Sequence, residues 1–138
     1  MFPTFAKNGQ IWATWFRIEE RRSQRRGLWY VRDMSAERVE QLKSILEQDP
    51  KNTFARYALG MEYSSAEATD AALAEFRKLL DVDANYANAF FMGAQALQRA
   101  ERIEEATQWL QDGIACAQRT GNRHAENEMQ ALLDELAV

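Results

Sequence analysis

The 138 residues are 46% apolar with six glycines and two prolines, a balance suited to one packed, largely helical domain. A formal charge of -4 argues against nucleic acid as the main partner, because phosphate binding needs clustered Lys and Arg. A single cysteine, Cys116, allows no internal disulfide, no run approaches the roughly 18 apolar residues of a membrane span, and no signal-peptide core opens the chain. Cytoplasm is the expected location.

The charge is unevenly spread. Residues 1–33 hold seven Lys or Arg against three acids, and three of the four tryptophans, Trp12, Trp15 and Trp29. The other 105 residues hold ten basic and eighteen acidic side chains. Three readings fit this basic, Trp-rich segment. It is an upstream extension of a domain that starts at Met34, or a helix covering the first repeat, or a surface for single-stranded nucleic acid or a membrane. Nucleic acid and membrane are the least favoured.

Beyond it, a helix is expected from an N-cap at Ser35 to Asp49, where Pro50 prevents continuation. Phe54, Ala58 and Met61 then keep helical spacing over 53–65, and Leu73, Phe76, Leu79 and Leu80 over 69–82. Helices near 87–99 and 103–118 follow. Thr120-Gly121-Asn122 supplies a terminating glycine and a new N-cap for a last helix, 123–136, with Ala125, Met129, Leu132, Leu133 and Leu136 on one side.

Shifting the chain by 34 residues superimposes Ala55 on Ala89, Ala66 on Ala100, Glu67 on Glu101 and Ala72 on Ala106, with Tyr63 on Leu97 and Phe76 on Leu110. The same shift backwards pairs Leu42 with Phe76, Leu46 with Leu80 and Asp49 with Asp83. A fixed period of this length indicates stacked repeats. Half a repeat thus precedes two whole ones, about 53–86 and 87–120.

The residues Leu59-Gly60-x2-Tyr63, then Ala72-x3-Phe76, with Pro50 closing the preceding unit, resemble the tetratricopeptide repeat. The resemblance covers roughly three quarters of the chain. It implies an all-α fold, a right-handed α-α superhelix of antiparallel helix pairs with a C-terminal capping helix. Small residues, Gly60 and Ala72 or Ala94 and Ala106, are expected where paired helices touch. Arg56 stands where a large apolar residue is usual, Ala84 replaces the closing proline, and Glu67 and Glu101 occupy turns where glycine is common.

The resemblance also implies a role as an interaction scaffold holding a protein or peptide on the concave face of the first helices. The expected groove residues are Phe54, Tyr57, Met61 and Ser65 from one repeat and Asn88, Phe91, Gln95 and Arg99 from the next. Asn122, Ala125 and Met129 are candidates from the last helix. A clamp for the acidic tails of large chaperones needs Lys, Arg and Asn in the groove; the corresponding places hold Tyr57, Met61, Met92, Asn122 and Glu126, which disfavours it. The alternative role is structural, with the short array pairing with a second copy through an uncapped end.

No chemistry is expected. The single histidine, His124, and Cys116 fall on different helices, and Cys116 belongs to a buried face. A zinc site wants about four ligands at short spacing. Neither a cofactor nor a metal is implied, and the acids Glu104, Glu105, Glu126 and Glu128 complement helix N-termini.

Overall fold

The structure is a computed structural model that describes residues 35–138. Among them α1 covers 35–48, followed by α2 (Thr53–Ser65), α3 (Thr69–Val82), α4 (Ala87–Arg99), α5 (Ile103–Thr120) and α6 (Arg123–Leu136). The expectations for residues 1–33, whether extension, covering helix, or nucleic-acid or membrane surface, lie outside the described residues.

Local chemistry sets most of these boundaries. Asn52 Oδ1 accepts from Ala55 N at 2.9 Å and caps α2, and Asn122 Oδ1 does the same for α6 from Ala125 N at 3.1 Å. Ser35, expected as the cap of α1, is already helical and so is not that cap. α5 continues to Thr120, two residues beyond its expected end, and closes on Gly121 at φ 72°. There Asn122 N donates to Ala117 O at 2.8 Å, the long bond of a left-handed helix end. α2 and α4 end the same way, through Ala68 N to Tyr63 O and Arg102 N to Leu97 O, both 2.9 Å. In those two turns the left-handed residue is Glu67 (φ 61°) and Glu101 (φ 60°), not glycine.

Consecutive helices pack as antiparallel hairpins, α2 on α3, α4 on α5, with α6 closing on α5 in a right-handed α-α superhelix. The first helices also touch, α2 with α4 and α4 with α6. The main core joins Phe76, Leu79, Leu97, Leu110 and Met129, all fully buried, and a smaller cluster sets Leu46 of α1 against Ala55 and Leu59 of α2. Each such Leu or Phe contributes about 1.5–3 kcal/mol by leaving water.

Crowding between paired helices explains the small residues. A Cβ on Gly60 would lie 2.6 Å from Phe76 Cε1, so only glycine lets α2 and α3 meet there. One repeat later the tightest contact has moved. A Cβ on Gly93 would lie 2.6 Å from the Trp109 ring. The pair in the expected register, Ala94 and Ala106, is fully buried beside it. Cys116 is buried, its Sγ directed at Ala84 O at 3.5 Å. No helix among the described residues is long and apolar enough to cross a membrane.

Candidate functional site

Positions i, i+3, i+7 and i+11 of a helix share one face. That spacing aligns Phe54, Tyr57, Met61 and Ser65 on α2 with Asn88, Phe91, Gln95 and Arg99 on α4, across the surface where the first helices lie side by side. Burial divides the eight. Phe54 is 75% exposed, and Ser65, Asn88 and Arg99 are also exposed. Tyr57, Met61 and Phe91 are half-buried and pack against the core, and Gln95 is half-buried.

Tyr57 in particular is a packing residue. Its ring centroid lies 5.5 Å from that of Tyr86 and 6.1 Å from that of Phe76. Burial, with Tyr86 adding, raises the hydroxyl above the ordinary phenol range. Arg99 is tethered, its Nη2 donating to Ser64 Oγ on the neighbouring first helix. This bond ties α4 to α2 at one rim of the face.

Asn122, Ala125 and Met129 all line a cavity of about 70 Å³ between α4 and α6, beside His124 and Glu128 and opposite Ala87, Asn88 and Phe91. Met129 is otherwise fully buried, and Asn122 also caps α6 through its carbonyl oxygen. His124 pairs with Glu128 one turn on. The sequence pointed to a helix N-terminus for Glu128 and to no role for His124; their i, i+4 spacing was the available signal.

The outer face differs between repeats. Arg56 Nη1 donates to Glu75 Oε1 at 2.9 Å and Nη2 to Pro50 O at 2.9 Å, with both side chains largely covered. The equivalent positions 34 residues on hold Phe90 and Trp109, ring centroids 6.1 Å apart and edge to face, with the Arg77 guanidinium 5.5 Å over the indole. A second bridge links successive repeats: Arg102 donates to both Glu105 oxygens, at 2.6 and 2.8 Å, and to Asp70 at 2.7 Å. Those bonds hold the Glu105 carboxyl below its ordinary range.

Chemistry has little to work with among the described residues. No group of three or more His, Cys, Asp or Glu is placed to hold a metal ion. Cys116 is buried on α5, and His124 stands exposed on α6.

No protein-family model matches the chain. Over 98 residues, 71% of its length, the chain is 28% identical to a TPR repeat-containing protein of Pseudomonas aeruginosa and spans 93% of that protein. A Bordetella parapertussis protein of known solution structure is 34% identical, with a TM-score of 0.64 over 72% of this chain and 86% of that one. The chain belongs to the tetratricopeptide repeat family. At 15% identity and a TM-score of 0.68 the fold is also that of PcrH, solved in complex with the chaperone binding region of PopD, over 78% of this chain and 82% of that one. A tetratricopeptide fold of this kind serves in general as a protein interaction scaffold.

Proposed function

We propose that this tetratricopeptide repeat protein is an adaptor that holds an extended protein segment across the face of α2, α4 and α6. The observation that carries the reading is the exposure of Phe54 and Asn88 on helix faces that also carry the half-buried Met61, Phe91 and Gln95. Aromatic and methionine side chains supply apolar contact that adapts to a partner, and amides supply hydrogen bonds to its backbone. That PcrH, of the same fold, holds a region of another protein supports the reading.

The partner is not an acidic chaperone tail. Of the places such a clamp would use, Tyr57 and Met61 are half-buried, Asn122 caps α6 and Glu126 accepts from Gln118 at 2.9 Å. Self-assembly through the C-terminal end is the weaker alternative, because the outward residues of α6, Asn127, Gln130, Asp134 and Glu135, are exposed and polar. The adaptor role asks for no catalytic group.

The test is affinity capture from extract of the source cells with the full chain and with Phe54→Ser, Asn88→Ala and Gln95→Ala combined. These exposed or half-exposed positions leave the core untouched. Loss of specific partners from a variant with an unchanged melting curve supports the proposal; retention of all of them contradicts it.

A further inference from the structure

The two ends of the groove differ in chemistry, and this sets the kind of segment it takes. At its α2 end stands Phe54, a large apolar side chain with three quarters of its surface in water. On α4 the exposed groups are the amide of Asn88 and the guanidinium of Arg99, and Arg99 is bonded to Ser64 at the far rim. At the α6 end lies the cavity beside Phe91 and Ala125, and the titratable side chains lining it are His124 and Glu128. Arg123, five positions before Glu128, lies about 140° round the helix from it. Glu128, bridged by His124 on one side and 46% exposed, sets a carboxylate at the cavity mouth. Residues 34–138 as a whole, with ten basic and eighteen acidic side chains, add to that sign.

We infer that the groove selects an extended segment with an apolar side chain at the α2 end and a basic side chain at the α6 end. Packed helices lie about 8–10 Å apart, so two steps from α2 to α6 span about 16–20 Å. An extended chain covers that in about five or six residues at about 3.3 Å each. The apolar group packs on Phe54 and the edge of Tyr57, Asn88 bonds the backbone midway, and the basic group meets Glu128 at the cavity. This rests on the concave-face reading above and adds to it the partner's polarity and spacing.

The test uses the full chain on an array of synthetic decapeptides with an alanine and serine background. One leucine or phenylalanine is fixed near an end, and one arginine, glutamate or serine is stepped along the rest, in both chain orders. The expected result is at least tenfold stronger binding for arginine five or six positions from the apolar residue than for glutamate there. Glu128→Lys inverts that preference, and Phe54→Ser removes the demand for the apolar residue while keeping that for arginine. Equal binding of arginine, glutamate and serine peptides, still weakened by Asn88→Ala and Gln95→Ala, overturns the inference and leaves the concave-face reading standing. Binding indifferent to all four substitutions, or an array that stays blank with folded protein, overturns both.

Discussion

Arg56 and Glu75 form an ion pair at 2.9 Å at the two positions that Phe90 and Trp109 occupy one repeat later. The exchange is coordinated with a third site. Leu59 is buried and lines the same cavity as Glu75, whereas a side chain on its counterpart Gly93 would meet the ring of Trp109. Two solutions to one packing problem thus stand side by side in a single chain.

Breaking one partner of the pair leaves the other largely covered, with only Pro50 O to answer Arg56 or Lys78 at 3.6 Å to answer Glu75. Arg56→Ala or Glu75→Ala is therefore expected to lower unfolding free energy by about 2–4 kcal/mol in denaturant titrations. The triple exchange Arg56→Phe, Leu59→Gly and Glu75→Trp, which copies the second repeat, recovers most of that loss. A triple variant no more stable than the single ones would show that the two arrangements are not equivalent.

At Gly93 the ring of Trp109 leaves no space for a methyl group. Gly93→Ala is expected to cost about 1–3 kcal/mol despite alanine's better helix propensity. Adding Trp109→Leu should relieve part of it, and a double-mutant cycle measures the coupling. Strict additivity of the two substitutions would count against the contact.

Glu67 and Glu101 hold left-handed backbone that side-chain-bearing residues adopt at a cost. Glu67→Gly and Glu101→Gly are each expected to stabilise by about 1 kcal/mol, and Gly121→Ala, at φ 72°, to destabilise by a similar amount. Thermal melting of the three variants checks the signs, which are opposite.

Arg102 sets a pH dependence. Its bonds to Glu105 lower that carboxyl's pKa in the folded chain, so the folded state binds this proton less readily than the unfolded one. The contribution is present above the ordinary carboxylate range and is lost as pH falls through the lowered value. Arg102→Gln should thus melt lower than the parent at neutral pH, and the two should converge in acid. Curves that stay parallel down through the acid limb would contradict the bridge.

Much of this was legible in residues 35–138 before any coordinates. Helix positions follow from apolar spacing, the repeat from a shift of 34, and the closeness of α2 and α3 from Gly60 and Phe76, because local rules fix each of these. Burial within the groove was not. Tyr57 and Phe91 are spaced for the open face, yet their rings lean on the core. Met129 is buried because Gly113 of α5 admits it; a Cβ there would lie 2.5 Å from Met129 Sδ. Arg56 looked like a departure from the pattern until Glu75, nineteen residues on, was seen to answer it. Such pairings belong to tertiary structure, and one-dimensional periodicity carries no trace of them.

The most direct test of the scaffold account is hydrogen-exchange footprinting of the full chain with and without a captured partner. The account predicts slowed exchange or chemical protection along α2, α4 and α6, centred on Phe54, Asn88 and Gln95, with α3 and the outer face of α5 unchanged. Protection confined to α3 and α5, around Arg77 and Trp109, with the first helices untouched, would contradict it.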